Sequence, residues 1–245
     1  MQDPFVQLRK YLDQLTINFF YVKTVHAHIE TFLEWRKKGE QQVFKQAEDF
    51  YSLVYYVFRR ELEIEVYKML SDREDRSLIH WLCHAITNAE HIEAAEYDAF
   101  AKGDEARKKL TKEQYREITL RHIDLINEKK DLVKNLTALR DKGLHADKKY
   151  FFNPEQLDED FPVCWSDMAS LIECIETILK DHAYYLEGVD LGMPSNDTSG
   201  IETLLRMSRA VNRLKSIEEF SQRHLKWQEL YKDDFNQGNL FYNKT

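Results

Sequence analysis

The sequence predicts an all-α fold: an antiparallel bundle of long helices with a C-terminal helical extension. Three observations carry that expectation. Apolar residues recur by threes and fours over long stretches, the period of a helix packed on one face. Turn residues are scarce, 7 Gly and 4 Pro in 245 residues, fewer than a sheet-rich chain of this size needs. Hydrophobic residues make up 43% of the chain, enough to bury a substantial core without disulfide or metal staples.

Residues 4–36 read as one helix. Phe5, Leu8, Leu12, Leu15, Phe19, Val22, His26, Ile29 and Leu33 form a heptad seam interrupted only by His26. Pro4 suits the first turn, where the missing amide hydrogen is not needed, and Gly39 punctuates the exit. His26 reads as a structural residue that fixes register. A second, aromatic-rich helix covers about 41–70, in which Tyr51, Tyr55 and Phe58 read as core rather than as a base-stacking platform. A third runs over about 75–101, through Leu78, Leu82, Ala85, Ala89, Ile92 and Ala95, with Gly103 ending it.

Thr111-Lys-Glu-Gln114 matches a capping box and opens a fourth helix through Ile118, Leu125, Leu132, Leu136 and Leu139. It is expected to stop near Lys142, because Gly143 follows. A loop containing Pro154 and Pro162 leads to a fifth helix over about 164–187. Gly188 to Gly200 is the linker candidate, followed by a sixth helix over about 199–232. The chain therefore divides into a bundle over 1–190 and a helical extension over 191–245, packed on it.

Charge and composition narrow the function. The net charge of −8 argues against a generic, non-specific polyanion binder and leaves room for a local basic site. Cys83, Cys164 and Cys174 are odd in number and have no CxxC spacing, and no secretory signal opens the chain. Reduced thiols in a cytoplasmic protein are expected. No run of about 18 apolar residues exists, so no membrane span is expected.

The run Arg140-Asp-Lys-Gly-Leu-His145 is the candidate for chemistry. On a continuous helix Arg140 and His145 would lie about 140° apart, too far to share one substrate atom. A glycine just past a helix end readily turns left-handed, so Gly143 is expected to reverse the chain, fold Leu144 onto Leu139 and bring His145 beside Arg140. An arginine and a histidine converging without carboxylates suit RNA phosphodiester cleavage. Imidazole moves the proton near neutrality, and guanidinium binds the phosphate as its charge grows. The plainer reading is a helix C-terminus whose basic residues complement its dipole. Lys142, Lys148 and Lys149 are candidate contacts to RNA backbone, with an exposed basic turn as the alternative.

Other clusters weigh less. His80 and His84 stand at i, i+4 with His91 further on, a spacing that can hold a metal. The glutamate of HExxH is missing and no pair of Glu-x-x-His motifs exists, so neither a metal nor a cofactor is expected.

The run Leu139-Arg-Asp-Lys-Gly-Leu-His-Ala-Asp147 resembles the signature of HEPN domains, most closely the abortive-infection (AbiU-like) branch, where the motif tends to read R-D-K-x-x-H-x-D. Glu63-Ile-Glu-Val-Tyr-Lys-Met-Leu-Ser-Asp72 and Ser77-Leu-Ile-His-Trp-Leu82 are similar to that branch's second and third helices, and the likeness covers about residues 1–190. The resemblance implies a HEPN-like bundle and a homodimer whose two motifs face each other in a composite ribonuclease site that needs no metal. It implies Arg140 as the phosphate-stabilising residue, His145 as acid/base and Asp141 as the polar residue orienting Arg140. Some members carry a tyrosine two residues after the histidine, which a partner enzyme modifies; that position is Asp147 here, and Tyr150 is the nearest tyrosine.

The expected function is a toxic endoribonuclease of a phage-defence or toxin–antitoxin system, leaving 2′,3′-cyclic phosphate, with RNA as substrate and an antitoxin protein as a possible partner. The alternative is a non-catalytic helical module that dimerises through its long seam and binds a protein or nucleotide.

Overall fold

The computed structural model describes residues 4–38, 41–45, 48–90, 110–144, 148–151, 154–187, 191–192 and 198–215. Among them every regular element is a helix. In chain order these are α1 (Pro4–Lys37), α2 (Gln41–Lys45), α3 (Glu48–Leu70), α4 (Leu78–Thr87), α5 (Lys112–Glu128), α6 (Lys130–Leu144), α7 (Lys148–Phe151), α8 (Pro154–Asp160), α9 (Trp165–Glu187) and α10 (Ser199–Lys215). The chain is all-α, as its periodicity predicts.

The α1 seam is real and it faces inward. Leu8, Leu12, Leu15, Phe19, Val22 and Ile29 are buried in the chain's own core. Used this way, the seam packs against the chain's own helices. His26 is buried with it and stacks flat on Trp165 of α9, ring centroids 4.6 Å apart and planes 4° from parallel.

Three expected helices are divided differently. The second appears as α2 and α3. The third begins at Leu78 rather than 75, because the Ser77 side chain caps it by accepting from the His80 amide. It ends at Thr87, where the Asn88 amide donates to the His84 carbonyl and caps it, so the helix expected to run unbroken to 101 breaks at Asn88; residues 91–101 lie outside the described residues. The fourth opens as predicted: Thr111 and Gln114 form both halves of the capping box. It then breaks at Lys129. The Lys129 amide donates to the Ile126 carbonyl at 3.0 Å, tightening the last turn of α5, and the Lys129 carbonyl accepts from Val133 at 3.0 Å, opening α6. No glycine or proline marks this break. A tertiary tether holds it, because Lys129 Nζ donates to Ser170 Oγ of α9 at 2.9 Å.

The chain groups into two compact units, Met1–Ala27 with Val57–Asn196, and His28–Tyr56 with Asp197–Thr245. The first is built around Leu8, Trp81, Tyr115, Leu171, Ile175 and Leu179, all buried. The second centres on Phe32, Phe44, Phe50 and Tyr51, whose rings meet at 5.2–6.2 Å, mostly edge to face. In that unit α10 is held by Tyr51 Oη against Ser208 Oγ at 2.7 Å and by Arg209 over the Trp35 ring at 4.3 Å. Tyr51 is thus core. The C-terminal helix groups with residues 28–56, an association that no local sequence signal announces.

Candidate functional site

The site is assembled from the end of α6 and the turn between α3 and α4. That turn, residues 71–77, is fixed from several sides. Ser71 Oγ accepts from the Arg73 amide at 3.2 Å, and the Ser71 amide continues α3 by donating to the Tyr67 carbonyl at 2.9 Å. Tyr11 of α1 donates its hydroxyl to the Asp75 carbonyl at 2.9 Å and lies 3.2 Å from that of Ser77. His80 Nε2 donates to the Asp72 carbonyl at 3.0 Å. So braced, the turn presents Glu74 and Arg73 toward α6.

Arg140 meets them. Its Nη1 donates to Glu74 Oε1 at 2.7 Å, and its Nε and Nη2 donate to Asp141 Oδ1 at 2.9 and 2.7 Å. Its Cζ lies 4.1 Å from the centroid of the Tyr67 ring, a cation–π stack on a residue buried in α3. Asp141 Oδ2 also lies 3.5 Å from Arg73 Nη1. Burial works against the Arg140 charge, but the Asp141 hydrogen bond, the adjacent Tyr67, the Asp141 charge and the Glu74 hydrogen bond outweigh it and raise its pKa. A guanidinium has five N–H groups, more than the contacts to Asp141 and Glu74 occupy. The side chain is 26% exposed.

Of the residues the sequence singles out, the fold places Arg140 and Asp141 in direct contact. His145 lies outside the described residues, as does the Lys148 side chain. Lys142 sits against aromatic faces, its Nζ 5.2 Å from the Tyr150 centroid and 5.6 Å from that of Phe161. Lys149 is ion-paired with Asp160, which also accepts from the Tyr150 hydroxyl. That pairing, the largest influence on both groups, raises the lysine's pKa and lowers the aspartate's. Tyr150 is itself buried. His80 and His84 are engaged locally, with the Asp72 carbonyl and with Asn88, and the described residues contain no cluster of three metal-ligating side chains.

The expected glycine reversal is corrected. Gly143 lies inside α6, which runs on to Leu144, and its backbone is not left-handed, so Gly143 does not make the turn expected to bring His145 beside Arg140. The helix supplies enough backbone bonds to carry a glycine at its last turn, so the local preference for a reversal does not decide. A Cβ added there would stand 3.5 Å from Leu157 Cδ2, ordinary van der Waals contact. Gly143→Ala is therefore expected to raise stability by about 0.5–1 kcal/mol, read by chemical denaturation. A left-handed glycine would give a loss instead.

Glu74, Arg73 and Tyr67 are the contributors that sequence reasoning missed. Comparison with family models, curated proteins and solved structures finds no match to this chain.

Proposed function

We propose that the protein is a metal-independent endoribonuclease of the HEPN kind, acting as a cytoplasmic homodimer and as the toxic effector of a phage-defence or toxin–antitoxin system. One observation carries the reading. Arg140 is held by Asp141 and Glu74 over the Tyr67 ring and stays partly exposed, and the sequence puts a histidine five residues later, which the facing motif of a second copy would bring to it.

In the reaction, His145 takes the proton of a ribose 2′-hydroxyl as that oxygen attacks the adjacent phosphorus. The P–O5′ bond breaks, and the leaving 5′-oxygen takes a proton from the second copy's imidazolium. The products are a 2′,3′-cyclic phosphate and a 5′-hydroxyl. The free N–H groups of Arg140 bind the non-bridging oxygens and stabilise their growing charge. Asp141 and Glu74 keep the guanidinium plane in one orientation. The nucleophile belongs to the RNA, so the step needs no metal.

The same observation gives the second reading its footing. An arginine between two carboxylates also pins α6 to the 71–77 turn, as in a non-catalytic helical interaction module. Incubation of the purified protein with mixed cellular RNA in excess chelator separates them. Fragmentation by the wild type and none by His145→Ala is expected; RNA left intact by the wild type would promote the module reading.

A further inference from the structure

Tyr115, His182, His122 and Asp181 form one hydrogen-bonded chain between α5 and α9. Tyr115 Oη lies 2.9 Å from His182 Nδ1, His182 Nε2 lies 3.0 Å from His122 Nδ1, and His122 Nε2 lies 3.2 Å from Asp181 Oδ2. The inner end is sealed. His182 is fully buried, Tyr115 nearly so, and the Trp81 ring of α4 meets His182 edge-on at 4.6 Å. The outer end reaches solvent, where the Asp181 side chain is 44% exposed.

The carboxylate sets the direction of the whole chain. An ionised Asp181 only accepts, so neutral His122 carries its hydrogen on Nε2 and offers the Nδ1 lone pair. His182 must then donate from Nε2 and accept at Nδ1, where the Tyr115 hydroxyl donates. With both imidazoles neutral, each of these ring nitrogens is matched once and no hydrogen has to move. A proton added to His122 at Nδ1 would point at the His182 N–H across 3.0 Å. Relief requires His182 to move its hydrogen to Nδ1 and Tyr115 to turn from donor to acceptor. A proton added to His182 is opposed first by burial and then by His122, which together hold its pKa well below the ordinary histidine value.

Asp181 favours a charge on His122 but does not touch the buried His182, and no other neighbour takes its place. On α4, His80 bonds the Asp72 carbonyl and His84 bonds Asn88, while Cys83 is exposed. On α1, Arg9 pairs with Glu187 and Lys23 with Glu176. On α5 and α9, the charges of Arg121 and Asp181 act in opposite senses on Tyr185. Among the described residues, Asp181 is the only carboxylate bonded to either imidazole.

We propose that this chain is an acid-released latch between α5 and α9, closed while the buried His182 imidazole is neutral and opened by proton uptake there. His182 is a base whose pKa is lower folded than unfolded. Its stabilising contribution is therefore complete above the unfolded value, near ~6.5, and is lost as pH falls below it.

The test is amide exchange on the intact protein between pH 8 and 5, with histidine tautomers read from ¹⁵N-labelled imidazoles. At pH 8 both His122 and His182 should carry their hydrogen on Nε2. Below ~6.5, protection factors in α5 and α9 should fall by about tenfold per pH unit for each proton taken up, while α10 amides hold. His182→Gln should flatten that dependence. If it does not fold, Asp181→Asn serves: without the carboxylate anchor the single tautomer of each imidazole should give way to a mixture at pH 8. A hydrogen on His182 Nδ1 at pH 8, protection that is flat from pH 8 to 5, or an equal fall in every helix would overturn the latch.

Discussion

Arg140→Ala is expected to lose RNA cleavage by a factor of about 10²–10³, the usual cost of removing one preorganised donor aimed at developing charge. Arg140→Lys should fare little better, since an ammonium cannot replace a planar group shared between Asp141, Glu74 and a phosphate. Stability should move far less. The guanidinium is partly exposed, and its ion pairs are discounted by solvent, so about 1 kcal/mol is the scale of the loss. Single-turnover cleavage and denaturant melts on the same samples check both halves. Cleavage at the wild-type rate beside a lowered midpoint would make Arg140 a strut between α6 and the 71–77 turn, and nothing more.

Trp81→Ala should carry the largest cost in stability, about 3–5 kcal/mol. Trp81 is fully buried where α1, α4 and α9 meet, with its indole N–H donating to the Leu8 carbonyl at 3.0 Å and its ring against His182. Domains of this kind are held by only about 5–15 kcal/mol, so the variant stands near the edge of folding. Trp81→Phe keeps most of the apolar contact and gives up the hydrogen bond, which sets its cost nearer 1–2 kcal/mol. Denaturant midpoints at constant slope separate the two. Equal losses for both variants would show that the indole hydrogen bond, not the ring's bulk, is what the junction depends on.

The fold was legible wherever a helix meets the core along one face. The α1 seam runs in sequence order, so Leu8, Leu12, Leu15, Phe19 and Val22 announce their burial by spacing alone. The Thr111 capping box is equally local, four residues that bond each other. The break at Lys129 was not legible, because its tether, Ser170, is 41 residues away. Gly143 misled for the opposite reason: a strong local preference was overridden by the continuing helix.

The site divides in the same way. Arg140 and Asp141 are neighbours in sequence, and their contact follows from adjacency. Glu74 is 66 residues from the arginine it binds, and His182 is 60 from His122. Nothing in the spacing of either pair suggests a meeting. One faint sign existed: Tyr115 and His122 are seven apart and therefore share a face of α5.

If Arg140 and His145 of the two copies act on one RNA phosphate without a metal, the chemistry of the cut ends records it. Wild-type protein is incubated with RNA in excess chelator and the new 3′ termini are identified. Attack by the RNA's own 2′-hydroxyl should leave 2′,3′-cyclic phosphates opposite 5′-hydroxyls, produced at an undiminished rate. Termini bearing a 3′-hydroxyl, or cleavage abolished by the chelator, would contradict it, because either result requires water activated by a metal rather than the RNA's own 2′-hydroxyl.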